Sequence, residues 1–382
     1  MSMSAMPVES ELSRRIGRAF LEIEGLTRGF EEAIHPADEM FHTACLAEAV
    51  HPGRSRLQYY RDGQEVVHSL KNLLGAAGTS LGHCDRLLEM ACGYGRVTRH
   101  LARELAPECI TAVEILEPAV DFVGQTLGAD ARLSCTDPSK LDVGSDFDII
   151  LVSSLFSHLP RSRFGEWLQA LAERLSPRGV LVFSTHGPDV VPEVVKDPSG
   201  FTFVPQSESL NLDGAEYGSA FVDSDVVREI AFERGLVHIA SVERDLWMLQ
   251  DLYVVSRSAI PGLSSWQNVS FVQGVMDRVL IRGDEFSIDG WAADSRRGVS
   301  MESVQLLVDG SEVARVAVNA PRSDVADLKG RPDWAQSGWS LHGRLPELAP
   351  GEHLLAARGV STTGATGVLD LRAVSVPASE RP

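Results

Sequence analysis

The sequence predicts an α/β chain: a doubly wound, mostly parallel sheet with N-terminal helices, followed by an all-β sandwich. Three observations lead there. Apolar runs alternate with helical segments from about residue 85 to 187, the rhythm of a parallel sheet covered on both faces. Residues HIASVERDLWMLQDLYVVSRS read as an antiparallel pair ending that sheet. From about residue 271 the pattern turns to short strands punctuated by turn signals.

Taken in order, residues 1–80 read as a helical cap, with polar and apolar residues at helical spacing in ELSRRIGRAFLEI and GQEVVHSLKNLLGAAG. Residues 81–258 form the sheet domain. Its strands are RLLEMA, CITAVEI, FDIILVSSL and GVLVFSTHG; its helices are GRVTRHLAREL, EPAVDFVGQTLG and RSRFGEWLQALAERL. In the last of these, Phe164, Trp167, Leu168, Leu171 and Leu175 line one stripe, and Pro177 is the stop. Residues 187 to 220 read as a long loop, the place of a lid in an α/β domain, and VDSDVVREIAFERGL as a helix. Residues 259–270 are a linker, and 271–382 the sandwich. There VQLLVDGSEVARVAVNA alternates around Asp309-Gly310, a hairpin signal.

A length of 382 residues fits two domains. No run of eighteen apolar residues marks a transmembrane helix, and the first twenty residues lack the apolar core of a signal peptide, so a cytoplasmic location is expected. Five cysteines, at 45, 84, 92, 109 and 135, include no CxxC and read as free thiols rather than a disulfide framework or a metal site. The formal net charge is −18; from residue 259 on, 12 Lys+Arg face 15 Asp+Glu, leaving −15 in the first 258 residues. Repulsion of that size argues against a nucleic-acid partner.

The chemistry concentrates in LEMACGYGRVTRHLA, where an apolar strand ends in an acid, a loop of small residues follows, and a helix begins. The loop lacks the GxGxxG of a nicotinamide site and the Gly-Lys-Ser/Thr end of a P-loop. What stands there is acid-x-small-x-Gly-x-Gly: Glu89, Ala91, Gly93 and Gly95. Gly93 and Gly95 allow backbone to approach a ligand closely, and the next helix offers unpaired N–H groups to a carboxylate. The next strand, ITAVEI, ends in Glu114, a carboxylate able to accept two hydrogen bonds from a ligand, with Ile115 beside it as a further cofactor contact.

This stretch resembles motif I of the class I S-adenosylmethionine-dependent methyltransferases, whose fold is Rossmann-like. The resemblance, in five pieces across roughly 85 to 187, implies S-adenosyl-L-methionine as cofactor. It implies Glu89 on the cofactor's ammonium, directly or through water, and Glu114 on the ribose. Asp137 stands where the family often has an acid on the adenine amino group, and Ser153 in the loop facing the methyl group. The family's first glycine is Ala91 here, tolerable if its φ is negative.

Transfer needs a nucleophile in line behind the methyl and exclusion of water. For a hydroxyl acceptor a general base helps. His186 ends the fifth strand and is the stronger candidate; His158, after the fourth, is as well read as a packing residue. Asp189 is an outside candidate and Tyr217 a candidate substrate contact. Ser153-Ser154-Leu155-Phe156 stands where DNA amino-methylases carry Asn/Asp-Pro-Pro-aromatic. HPADEMF, Tyr59-Tyr60 and Gly63, with SSLFSHLP and FSTHG, resemble bacterial methyltransferases found with surface-glycan genes. The tail, with FSIDGWAAD and SGWSL, resembles a module appended to glycan-modifying enzymes, and Trp291, Trp334 and Trp339 are read either as a sugar-stacking surface or as core. The expected function is O-methylation of a sugar or glycan intermediate. The alternatives are a small natural product or carboxylate as acceptor, or a non-catalytic glycan-binding protein.

Overall fold

The structure, a computed structural model, describes residues 9–376 apart from 47, 49, 192, 193, 208 and 210. It divides into two compact units. One gathers Gly29–Glu39 and Arg61–Asn268; the other gathers the described residues up to Arg28, Met40–Tyr60, and those from Val269 onward.

The first unit is built on the sheet β3-β2-β1-β4-β5, with β1 Leu87–Met90, β2 Ile110–Glu114, β3 Asp130–Leu133, β4 Phe147–Val152 and β5 Leu175–His186, all parallel. The order reverses between β1 and β4, and in open α/β sheets such a switch point opens a crevice at the strands' carboxyl ends. Every residue of β1 and β2 is buried, as covering on both faces requires. On one face Phe147, Phe156, Phe164, Leu168, Phe183 and Tyr253 pack together; on the other Leu70, Leu73, Val97, Leu101, Val182 and Val254 do so. Helix α3 Ser55–Ala76 from Arg61 onward, α4 Thr98–Glu104, α5 Glu117–Phe122, α6 Arg161–Ala172 and α7 Ser224–Glu233 accompany the strands.

Beyond β5 the sheet branches. The hairpin β8 His238–Leu246 and β9 Gln250–Ser256, expected from the sequence, adds β9 antiparallel to β5 along Leu181–His186. The stretch read as a loop instead carries a short hairpin, β6 Phe201–Val204 and β7 Ser219–Val222, joined to β5 only at His186↔Phe221. Helix α6 also ends sooner than its stripe implied: Leu175 opens β5 and Pro177 lies within that strand. An apolar residue at helical spacing serves equally as the first buried residue of a strand.

The second unit holds a three-stranded sheet, β10-β11-β14, and a four-stranded one, β13-β12-β15-β16: β10 Val272–Arg282, β11 Glu285–Asp294, β12 Met301–Val308, β13 Ser311–Ala317, β14 Gly338–Arg344, β15 Gly351–Ser361 and β16 Thr366–Val376. Met276, Ile288, Val304, Leu306, Leu355 and Leu369 share its core. The Asp309-Gly310 turn joins β12 to β13 with φ of 46° and 80°, the positive values a two-residue hairpin demands. Trp334 and Trp339 are each only 2% exposed and Trp291 is half-buried, so the three do not form a sugar-stacking surface. A Cβ on Gly290 would lie 2.6 Å from the Trp339 ring, which shows how closely that ring is packed.

The expected cap over 1–80 is not one element. Helix α1 Glu11–Ile23 buries Ile16, Phe20 and Leu21 and belongs to the sandwich unit. Polar contacts explain why. Glu24 accepts the Val368 N–H at 2.7 Å, Arg54 pairs with the buried Asp370 at 3.2 Å, and Arg56 is bound to Glu9 and Tyr60. Helical periodicity says that a face is buried, not which sheet buries it.

Phe164 is fully buried between Phe156, Phe183 and Phe201. Phe164→Ala should lower the unfolding free energy of the first unit by about 3–5 kcal/mol, measured by urea denaturation followed by Trp167 fluorescence. A loss below about 1 kcal/mol would mean the ring is not in that core.

Candidate functional site

The end of β1 and the start of α4 frame the site. Cys92 N–H donates to the Val113 carbonyl at 3.1 Å, prolonging the β1–β2 ladder by one bond, and Gly95 N–H returns to the Cys92 carbonyl at 3.1 Å. Gly93 and Gly95 have φ of 56° and 75°. A Cβ on Gly95 would lie 2.3 Å from a Leu127 methyl group, and its positive φ would strain any other residue there. One on Gly93 would meet nothing within 4 Å, so the backbone there borders open space. Ala91 takes φ of 57°, not the negative value that would make alanine unstrained.

Glu89 is 1% exposed. Its Oε2 accepts the Thr98 hydroxyl at 2.7 Å, while Oε1 has no hydrogen-bond partner among the described residues. Burial pushes its pKa up to about 8, opposed by the Thr98 hydroxyl and Arg96 and reinforced by Glu114. Glu114, also buried, accepts Gly93 N–H on Oε2 at 2.8 Å, and Ile115 and Leu116 N–H on Oε1 at 2.7 and 3.3 Å. Burial raises its pKa too, against the pull of those three donors. Oε1 is thus saturated, and Oε2 keeps one lone pair for a ligand.

One support of this loop went unread in the sequence. Arg99, 1% exposed, bonds the Gly95 carbonyl at 3.0 Å, Tyr94 at 3.3 Å, and Glu31 and Ala33 at 2.8 Å each. It therefore ties the glycine loop to the segment before α2 Glu39–Leu46, where His35 stacks on Tyr94 at 4.6 Å. The available signal was a cation among the buried positions of α4. Gly63 is explained by the same packing: a Cβ there would lie 2.3 Å from the Arg96 carbonyl.

The remaining candidates fall in three places. Ser153, half-buried, follows β4 directly. Asp137 is turned to its own chain: its carboxylate accepts Ser139 N–H and hydroxyl at 3.1 and 2.7 Å and pairs with Lys140 at 3.1 Å. The Ser139 and Lys140 contacts hold it down to about 2. The exposed Asp189 pairs with Lys196.

His158 and His186 do come together, with ring centroids 6.2 Å apart. His158 is buried, stacks on Tyr217 at 4.4 Å, and places Nδ1 2.7 Å from the Gly218 carbonyl. His186 stacks on Phe221 and has Nε2 3.2 Å from the Gln250 amide nitrogen. Its Nδ1 is buried beside the Ala220 backbone without a well-aligned hydrogen bond. Burial, then His158, lowers its pKa to about 4. Both rings face the 217–221 stretch, which leads into and forms part of β7, so they fasten that hairpin. Gln250 and Ser184, in the same polar cluster, were not singled out by the sequence, where each reads as one more strand residue.

Residues 87–179 match the family model described as a methyltransferase domain. A malonyl-[acyl-carrier protein] O-methyltransferase of Bacillus cereus is 27% identical over 187 residues, 48% of this chain and 66% of that protein. One of the same name from Porphyromonas gingivalis is 24% identical over 41% of the chain and 60% of its own length. The chain thus covers less than two thirds of these relatives. Among solved structures, an S-adenosylmethionine-dependent methyltransferase from Clostridium acetobutylicum shares 16% identity over 56% of this chain and all of that one, with a TM-score of 0.38. Residues 87–179 of the parallel-sheet unit, from β1 into β5, thus resemble a methyltransferase domain.

A left-handed alanine costs about 1–2 kcal/mol relative to its preferred conformations, partly offset by the greater unfolded-state freedom of glycine. Ala91→Gly should therefore raise unfolding stability by up to about 1 kcal/mol in denaturant titration. Destabilisation would show that φ at 91 is negative.

Proposed function

We propose that the chain is an S-adenosyl-L-methionine-dependent O-methyltransferase acting on a hydroxyl of a sugar or glycan intermediate. The observation that supports the cofactor site best is Glu89, a buried carboxyl with one oxygen unpartnered among the described residues, beside a glycine loop that borders open space. Glu89 would hold the cofactor's ammonium. The N–H groups after Gly95 would receive its carboxylate, Glu114 would hold its ribose, and the Ile115 side chain would border the cofactor. Ser153 would border the methyl group. Asp137, engaged in its own turn, would reach an adenine amino group only by sharing its carboxylate. When bound, S-adenosylmethionine supplies a methyl group already activated by its cationic sulfur. This chain's part is to orient the acceptor and keep water out.

The glycan assignment rests on the resemblance of HPADEMF, SSLFSHLP and FSTHG to surface-glycan methyltransferases. A carboxylate acceptor is the second reading, and two observations favour it. The named relatives are malonyl-[acyl-carrier protein] O-methyltransferases. A carboxylate also needs no base, and both histidines are engaged elsewhere. Incubating the protein with labelled cofactor and a panel of nucleotide sugars, oligosaccharides and acyl carboxylates separates the readings. Methylation confined to carboxylates overturns the glycan assignment.

Two predictions follow from the carboxylates. In the free protein burial favours neutral Glu89, so a cationic ammonium must displace its proton. Binding of S-adenosylhomocysteine should release roughly one proton at pH 7 and weaken about tenfold per unit as pH falls below about 8. Calorimetry in buffers of differing ionisation heat measures this; no proton exchange would place the ammonium elsewhere. Glu114→Ala should weaken the same ligand by well over tenfold, since it removes the ribose acceptor and leaves three loop N–H groups unpaired.

A further inference from the structure

Gln250 opens β9 beside the end of β5, opposite His186. It is 5% exposed, and its amide touches four side chains from two other elements. The network determines which end of the amide is which. Ser157 Oγ donates its only proton to the Ser154 carbonyl, so from Gln250, 3.4 Å away, it must receive one: that end is the NH2. Ser184 Oγ receives the Ser154 N–H at 2.9 Å and donates to Gln250 Oε1 at 2.6 Å. The NH2 group therefore also faces His186 Nε2 at 3.2 Å, and a donor there requires a lone pair on that nitrogen. The ring proton must sit on Nδ1. Ser154, at the centre of this network, has φ of 75°, a conformation that a residue other than glycine holds only when its surroundings impose it.

We propose that Gln250 is a positioning residue for methyl transfer: its amide locks His186 in the Nδ1–H tautomer and pins the strained Ser154–Ser157 turn after β4. The proposal rests on the methyltransferase reading of this site, in which that turn faces the methyl group. Two consequences follow. His186 Nε2 is not available to take an acceptor's proton while Gln250 is in place. Correct geometry behind the methyl group depends on a residue some 100 positions away in the chain, which acts without touching either reactant. The titratable group packed against the His186 ring is His158, after β4, on whose ring Tyr217 stacks; His158 does not replace the Gln250 donor.

Long-range proton–nitrogen NMR of the intact protein, labelled at histidine, reads the tautomer directly and needs no acceptor. In wild type His186 should be the single neutral Nδ1–H form from pH 8 to below 5.5. Gln250→Glu replaces the donor by an acceptor and should move the proton to Nε2 and raise the ring's pKa. Gln250→Leu should leave a mixture of tautomers. With an acceptor from the panel, both variants should lose at least tenfold in kcat while the Kd for S-adenosylhomocysteine, by calorimetry, stays within threefold. Wild-type His186 protonated on Nε2, a tautomer unmoved in Gln250→Glu, or full kcat in both variants overturns the proposal. Failure of wild type to bind S-adenosylhomocysteine overturns instead the reading on which it rests.

Discussion

A carboxylate buried at the carboxyl end of a central parallel strand is the constraint around which the first unit is arranged. Glu89 is nearly fully buried, held by one hydroxyl, and carries one oxygen without a hydrogen-bond partner among the described residues. Burying such a group in its charged form is costly, so the free protein favours the neutral form and a cationic ligand favours the carboxylate. The nearby cation, Arg96, lowers the pKa of the group but is paired with Asp62 and makes no hydrogen bond to Glu89 among the described residues. The surrounding chain supplies a loop of left-handed residues, a second buried carboxylate already gripped by three N–H groups, and open space over Gly93. That combination is unfavourable for an empty crevice and favourable for one that receives a cationic ligand with a carboxylate tail and vicinal hydroxyls.

Shape around this point is maintained from three directions. Arg99 gathers four carbonyl oxygens and so joins the glycine loop to the segment before α2. Gly63 lets α3 approach the Arg96 backbone. On the far side of the switch point, the His158 and His186 rings fasten the 217–221 stretch, and the Gln250 amide joins β9 to the turn after β4. The strained backbone at Ala91 and Ser154 lies within this scaffold, at the two loops that border the proposed cofactor.

Much of this was legible in the sequence, and the misses share a cause. The strands of the parallel sheet, the β8–β9 pair and the Asp309-Gly310 hairpin were readable because period and turn chemistry are local. Glu89, Gly93, Gly95 and Glu114 were readable because a strand end followed by small residues fixes their place. Unreadable were properties set by partners distant in the chain. Helix α1 shows an apolar face, but Asp370 and Val368, which draw the N-terminal segments into the sandwich unit, lie over 300 residues on. Leu175 fitted a helical stripe and a strand equally. The tryptophans fitted a binding surface and a core equally in the sequence, and the burial of Trp334 and Trp339 decides for core. The histidines resembled bases because their position was visible and their hydrogen-bond partners were not.

The most direct test of the central claim is a crystal structure of the intact chain grown with S-adenosylhomocysteine. The account predicts ligand across the carboxyl ends of β1 and β2, its ammonium within hydrogen-bond distance of Glu89 Oε1 and its ribose hydroxyls against Glu114 Oε2. Ligand bound elsewhere, or a refined structure in which Glu89 is paired to a protein cation and the space over Gly93 is filled by side chains, would contradict it.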